Sequence, residues 1–271
     1  MGSGIAQVCV HHGLKVHLKE ARLELLQPAM ERIRRGLERM ERAAGGDAGT
    51  AEESFSRIDP TTEWEDLKDA DMVIEAVYEQ FESKREVFEK LGRICASEVV
   101  LASNTSSIPI TRLAAATQYP ARVVGMHFMN PVPRMKLVEV IRGLLTSAAT
   151  IEKTKALALR LEKVPIEVRD SPGFVTNRVL IPMINEAVFA LMEGVADAEA
   201  IDQVLKLGMN HPMGPLELAD LIGLDICLDI MEVLYDSFKD TKYRPCPLLR
   251  QMVDGGWLGR KSGRGFYSYA S

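Results

Sequence analysis

Hydrophobic and polar positions divide the chain near residue 170. Before that point, short apolar runs alternate with amphipathic stretches. Residues 5–12 are mostly apolar behind two glycines and predict the first turns of a helix that Gly13 closes. Residues 16–18 predict a short strand that ends at Glu20. Residues 21–44 carry apolar side chains at helical spacing with Arg and Glu on the opposite face. A break rich in Gly, Ala and Asp follows at 45–50. Further strands are predicted at 72–77, 99–102, 123–128, 137–141 and 166–168, and helices at 83–95, 110–117 and 146–163. Alternation of this kind predicts an α/β fold, with a Rossmann-like, doubly wound parallel sheet covered on both faces. After Asp170-Ser171-Pro172-Gly173 the character changes. Residues 176–193, 197–207, 216–238 and 248–253 all read as helix, so an all-helical C-terminal domain is expected. The expected division is 1–169 and 170–271. Residues 180–192 are apolar nearly all round, which favours packing against another helix layer, such as one from a second subunit.

Composition narrows the field. The chain has 271 residues, 46% hydrophobic and 26% charged, with a formal net charge of −5. That is ordinary globular composition with room for a substantial core. No basic stripe stands out, so no nucleic acid partner is expected. No apolar run reaches membrane-span length and no secretory signal opens the chain, so no membrane partner is expected either. Cys9, Cys95, Cys227 and Cys246 show no metal-type spacing, which fits a reduced, cytoplasmic compartment and no bound metal.

Four segments carry candidate chemistry. A dinucleotide fingerprint is a strand, G-x-G-x-x-G, a helix, and an acidic residue about 20 positions on. Here only its end is visible: Gly2 fits the third glycine, and Glu20 stands where a carboxylate meets a ribose hydroxyl. A glycine before an apolar helix and a solvated glutamate account for the same residues. The second segment, Gly125-Met126-His127-Phe128-Met129-Asn130-Pro131, puts His127 at the carboxyl end of a strand, the edge where such sheets bind ligands. Glu139 follows on the next strand. A carboxylate beside a histidine raises its basicity and fixes its tautomer, as proton removal from an alcohol requires. On spacing alone, a catalytic pair and a structural hydrogen bond are equal readings. The third, Asn104-Thr105-Ser106-Ser107, lies just past a strand end and either binds a substrate oxygen or caps the next helix. The fourth, the run from Asp170 to Arg178 with Asn177 inside it, reads by itself as a linker and a helix start.

Read together, these segments resemble the 3-hydroxyacyl-CoA dehydrogenase family, and within it the short 3-hydroxybutyryl-CoA dehydrogenases. The likeness rests on residues 1–6, 71–76, 102–107, 125–131 and 170–178, with two further stretches at 211–218 and 259–267. The resemblance implies an oxidoreductase that moves a hydride between NAD and the 3-hydroxy or 3-keto group of a short-chain acyl-CoA, as in fatty acid or butanoate metabolism. It implies a dinucleotide-binding domain at 1–169 and a helical substrate and dimerisation domain at 170–271, assembled as a homodimer. His127 matches the catalytic base and Glu139 its carboxylate. Ser106, Asn130 and Asn177 match substrate-side groups. Gly2, Glu20, Glu79, Lys84 and Asn104 match the cofactor side. The family usually has Asp where Glu20 stands, and Lys19 and Arg22 flank it here, which leaves NADP open beside NAD.

One departure matters. The family begins with a strand and the first two fingerprint glycines, which would lie ahead of Met1. The expectation is either a start upstream of Met1 or a sheet short of a central strand, with a weaker hold on the pyrophosphate. Two rivals follow: a relative with poor cofactor binding that serves as a structural or interaction protein, and a hydroxy-acid dehydrogenase that does not use CoA.

Overall fold

The computed structural model describes residues 1–45 and 48–269. The chain divides into two compact units, Met1–Asp170 and Ser171–Ser271.

The first unit opens with helix α1 (Gly2–His11), strand β1 (Val16–Lys19), the long helix α2 (Leu23–Ala44), helix α3 (Ala48–Phe55) and strand β2 (Ile58–Thr61). One face of α2 buries Leu26, Ala29, Ile33 and Leu37, while Arg and Glu pairs such as Arg35–Glu31 stay outside. Gly45 ends the helix with φ +75°, a conformation that costs glycine little. The break expected at 45–50 is shorter than predicted, because α3 starts at Ala48; Gly46 and Asp47 lie outside the described residues.

Then come β3 (Met72–Glu75), α4 (Phe81–Ile94), β4 (Val100–Ser103), α5 (Ile110–Ala114), β5 (Val123–Phe128), β6 (Leu137–Arg142), α6 (Ala148–Arg160) and β7 (Val164–Arg169). β3 to β7 form one sheet in sequence order, whereas β1 pairs with β2 in a separate parallel sheet. The order is therefore interrupted between β1 and β3. β3, β4 and β5 are parallel, but β6 runs antiparallel to β5, and β7 is parallel to β6. This corrects the expectation of a parallel sheet throughout. The connection 129–136 is shorter than the roughly dozen residues a parallel crossover needs, so the chain turns straight back.

β4 and β5 are buried along their whole length, as central strands should be. Val100, Ala102, Val124, Met126, Val138 and Val140 face α1 and α6 in one apolar cluster. Burying such side chains contributes about 1.5–3 kcal/mol each before entropy is subtracted. Edge strand β7 is the least covered, with Val164 and Ile166 about half exposed.

The second unit contains α7 (Thr176–Met192), α8 (Ala198–Gly208), α9 (Pro215–Ile222), α10 (Leu224–Phe238) and α11 (Pro247–Asp254) around a single apolar cluster. The helix predicted at 216–238 is two helices. Gly223 separates them with φ +109°, a value that L side chains rarely adopt, and its strain-free turn redirects the chain. Two buried aspartates tie the unit together. Asp202 accepts the N–H of Leu216 and Glu217 and the Tyr267 hydroxyl, and Asp220 accepts the N–H of Phe266 and Tyr267 and the Tyr269 hydroxyl. The tail is thereby stitched back onto α8 and α9. Among the described residues, no helix is long and apolar enough to cross a membrane.

Candidate active site

The antiparallel turn at 129–136 decides the geometry of the site. It makes His127 and Glu139 direct cross-strand partners in the β5–β6 ladder. Side chains of such partners share one face at close range. His127 Nδ1 lies 2.8 Å from Glu139 Oε2, and both residues are buried, at 8% and 2% exposure. An ionised Glu139 accepts the Nδ1–H, which fixes the tautomer with the imidazole lone pair on Nε2. Gly125 precedes the pair on β5 because nothing larger fits: a Cβ there would lie 2.7 Å from the Ile141 Cβ across the ladder.

A chain of bonds leads from this pair along the carboxyl ends of β5, β4 and β3. The Phe128 N–H donates to Asn104 Oδ1 at 2.9 Å, so the amide of Asn104 holds the end of β4 against the residue next to His127. The Asn104 N–H donates to the Glu75 carbonyl at 2.8 Å. The Glu75 side chain, at the end of β3, accepts the Val77 N–H, the Ser103 hydroxyl and the Lys84 ammonium, at 2.6, 2.6 and 2.7 Å.

Lys84 is buried at 1% side-chain exposure and reaches Glu75, the Val77 carbonyl at 3.2 Å and Glu79 Oε2 at 3.3 Å. An ammonium has three hydrogens, and these acceptors match them. Glu79 Oε1 accepts the Thr105 hydroxyl and the N–H groups of Ser106 and Ser107, the last two at 2.9 and 3.1 Å. Burial works against the charge on Glu79. The Lys84 ammonium and the donors from Thr105 and Ser106 outweigh it and hold the carboxyl below its usual range. Glu79 is therefore ionised at neutral pH and loses that state only in acid.

Of the residues singled out in the sequence, His127, Glu139, Asn104, Ser106, Glu79 and Lys84 belong to this one bonded edge. Glu20 stands apart, half-buried at the end of β1, where its N–H donates to the Thr61 carbonyl at 3.1 Å. Gly2 opens α1, and a Cβ there would touch the Ala76 Cβ at 3.7 Å. Asn130 is exposed in the connection after β5, beside a cis bond to Pro131. Asn177 lies in the second unit, buried in the first turn of α7 with its N–H on the Gly173 carbonyl.

Sequence reasoning named Thr105 and Ser107 with Asn104 and Ser106 but gave no role to Glu75 and Ser103. One signal was present: Glu75 is a lone acid at the end of an otherwise apolar strand, and buried acids need partners. Asp170, which by itself reads as linker, instead accepts the N–H of Ile110 and Thr111 on its carboxylate and caps α5.

The edge suits a dinucleotide. Acidic groups stand at the ends of β1 and β3, the start of α1 offers the positive end of a helix, and Gly2 leaves the room beside Ala76 that a larger side chain would fill. Such a sheet with a histidine–carboxylate pair at its carboxyl edge fits an α/β dehydrogenase of the two-domain kind, and sequence models narrow it further. The model of the 3-hydroxyacyl-CoA dehydrogenase NAD binding domain matches residues 1–171, and that of the C-terminal domain matches residues 173–269. The chain belongs to the 3-hydroxyacyl-CoA dehydrogenase family.

Individual relatives agree. A Bacillus subtilis protein named "Probable 3-hydroxybutyryl-CoA dehydrogenase" is 54% identical over 99% of this chain and 94% of its own. The 3-hydroxybutyryl-CoA dehydrogenase of Bradyrhizobium diazoefficiens is 50% identical over 99% of this chain and 92% of its own. The crystal structure of (S)-3-hydroxybutyryl-CoA dehydrogenase from Ralstonia eutropha superposes with a TM-score of 0.97 at 48% identity, covering 100% of this chain and 96% of that one.

Proposed function

We propose that this chain catalyses the NAD-dependent interconversion of (3S)-3-hydroxyacyl-CoA and 3-ketoacyl-CoA thioesters, with 3-hydroxybutyryl-CoA as the substrate class. The observation that carries the reading is the buried His127–Glu139 pair at the carboxyl edge of the sheet, in a chain whose named relatives act on that thioester.

In the oxidative direction, Nε2 of His127 takes the proton of the 3-hydroxyl. Glu139 stabilises the imidazolium that results, and the surrounding burial strengthens that interaction. Bound nicotinamide supplies the hydride acceptor. Ser106 and Asn130 are assigned to the substrate, as is Asn177, on the strength of its motif. Glu79 presents an ionised carboxylate to a ribose diol, Lys84 fixes Glu79 from behind, and Asn104 holds the strand end between the two halves of the site. Gly2 and Glu20 serve the pyrophosphate and the adenine-side ribose.

The reading also includes a homodimer built on the helical unit, supported by its exposed apolar side chains Val179, Val204, Leu207 and Met209. A cytoplasmic setting is supported by four buried, unpaired cysteines.

The test is reduction of acetoacetyl-CoA followed by NADH absorbance, with free acetoacetate in parallel. Turnover of the thioester with little of the free acid is expected. Equal rates on both, or none on either, would discard the CoA reading. Glu79→Gln should raise KM for NADH by about tenfold with a small change in kcat, because a charge-assisted hydrogen bond to the ribose is weakened. An unchanged KM would remove Glu79 from the cofactor site.

A further inference from the structure

The connection 129–136, which brings His127 and Glu139 together, is weakly anchored by its own side chains. It is longer than the roughly two to five residues of a common hairpin loop, and of its residues only Val132 is buried. The pair sits close to it, one step in from the Phe128–Val138 pair at the open end of the ladder. Hairpin register depends on how the connection closes, and a slip of one residue would send the two side chains to opposite faces.

Residues 131–135 form a single turn, closed by the N–H groups of Arg134 and Met135 on the Pro131 carbonyl at 3.0 and 3.1 Å. Its side-chain anchor is Val132, which packs in one apolar cluster with Ile5 and Val8 of α1. Gly4 lets that helix approach, since a Cβ there would lie 3.2 Å from the Val132 Cβ. The backbone anchor is one ammonium. Lys163 Nζ donates to the Val132 carbonyl at 2.7 Å and to the Met135 carbonyl at 2.9 Å. The next residue continues the clamp, with the Val164 N–H on the Lys136 carbonyl at 2.8 Å. Lys163 is itself fixed: it is 6% exposed, and its own N–H donates to the Ala158 carbonyl of α6 at 2.9 Å. Burial pushes its amine below the usual range, and the Glu162 carboxylate restores part of that. An ammonium kept from water needs these carbonyls as much as they need its donors.

We propose that Lys163 is a positioning residue for the His127–Glu139 pair, its ammonium fixing the turn at 131–135 and through it the end of the β5–β6 ladder. The inference rests on the reading of that pair as the reacting groups. Lys163 acts through main-chain carbonyls, so its worth lies in placement and not in charge at the reacting atoms.

The test is Lys163→Met, which keeps an unbranched apolar stem and removes the ammonium. The kcat for acetoacetyl-CoA reduction should fall about ten- to hundredfold, the range in which a displacement of about 1 Å acts. KM for NADH should change less than about twofold, because Glu79 and Lys84 bond to groups outside the turn. Lys163→Arg, which keeps a cationic donor, should recover most of the rate. Proton NMR of the protein without cofactor or substrate supplies a readout that a merely structural lysine would not move. The His127 Nδ1–H donated to Glu139 gives a downfield resonance, assigned by its loss in His127→Gln. Lys163→Met should shift or broaden it, and Lys163→Arg should restore it.

A resonance at the parent position in Lys163→Met, or a kcat within about twofold of the parent, would overturn the proposal even if the variant were less stable to urea. If Lys163→Met did not fold, Lys163→Gln, which keeps an amide donor, is read in the same way. Absence of turnover in the parent protein would remove the functional reading, whereas the resonance reports on the positioning in either case.

Discussion

Replacing His127 by Gln is expected to lower kcat for acetoacetyl-CoA reduction by about 10²–10⁴-fold, with NADH binding changed by less than about twofold. That range is the usual worth of general acid–base catalysis. Gln is chosen because its amide can still donate to Glu139, which is 2% exposed. Ala would remove that donor altogether and open a cavity in the buried edge, and the loss of stability would blur the kinetic result. NADH affinity is a fair control because Glu79 and Lys84, assigned to the cofactor side, keep their own bonds to each other, to Glu75 and to Ser106 when the imidazole is removed. Glu139→Gln should cost rate as well, since a neutral amide stabilises an imidazolium less than a carboxylate does. Near-normal turnover in His127→Gln would remove the histidine from the chemistry. A parallel loss of NADH binding would instead point to collapse of the strand edge.

The residues of this site were easier to read from the sequence than the geometry that unites them. The candidate pair came from strand-end placement and the family resemblance. Why the two side chains meet depends on the short connection 129–136, which leaves no room for a parallel crossover and turns β6 antiparallel to β5. The separate β1–β2 sheet escaped for a different reason. Ile58-Asp59-Pro60-Thr61 is four residues long and contains an acid and a proline, a combination tolerated at an edge and foreign to a central strand. Gly223 was legible as a glycine inside an apolar helical run, yet only its φ of +109° makes it a corner. Hydrogen bonds between distant segments left the least trace. Nothing in the spacing of Glu75, Lys84 and Ser103 announces that the three are bonded, because sheet register and helix placement bring them together.

That bonded group carries the second large expected effect. Lys84→Met should destabilise the first unit by about 3–5 kcal/mol, against a total stability on the order of 5–15 kcal/mol for a domain. The side chains of Lys84 and Glu75 are each 1% exposed, so removing the ammonium strands a carboxylate that water cannot reach. Met matches the lysine stem in volume, so the change removes a charge and leaves little cavity. Glu75 keeps the Val77 N–H and the Ser103 hydroxyl, which is why the loss stays below the full cost of an unpaired buried charge. The paired variant Lys84→Met with Glu75→Gln removes the stranded charge and should recover about 1–3 kcal/mol. Non-additivity of that sign is the signature of a direct interaction between neighbours. Urea unfolding followed by Trp64 fluorescence in a Trp257→Phe background reports on the first unit alone, because Trp257 lies in the second. If Lys84→Met unfolded within about 0.5 kcal/mol of the parent, the pair would have to be solvated in solution. Its job of fixing Glu79 would then fall to Thr105 and the N–H groups of Ser106 and Ser107.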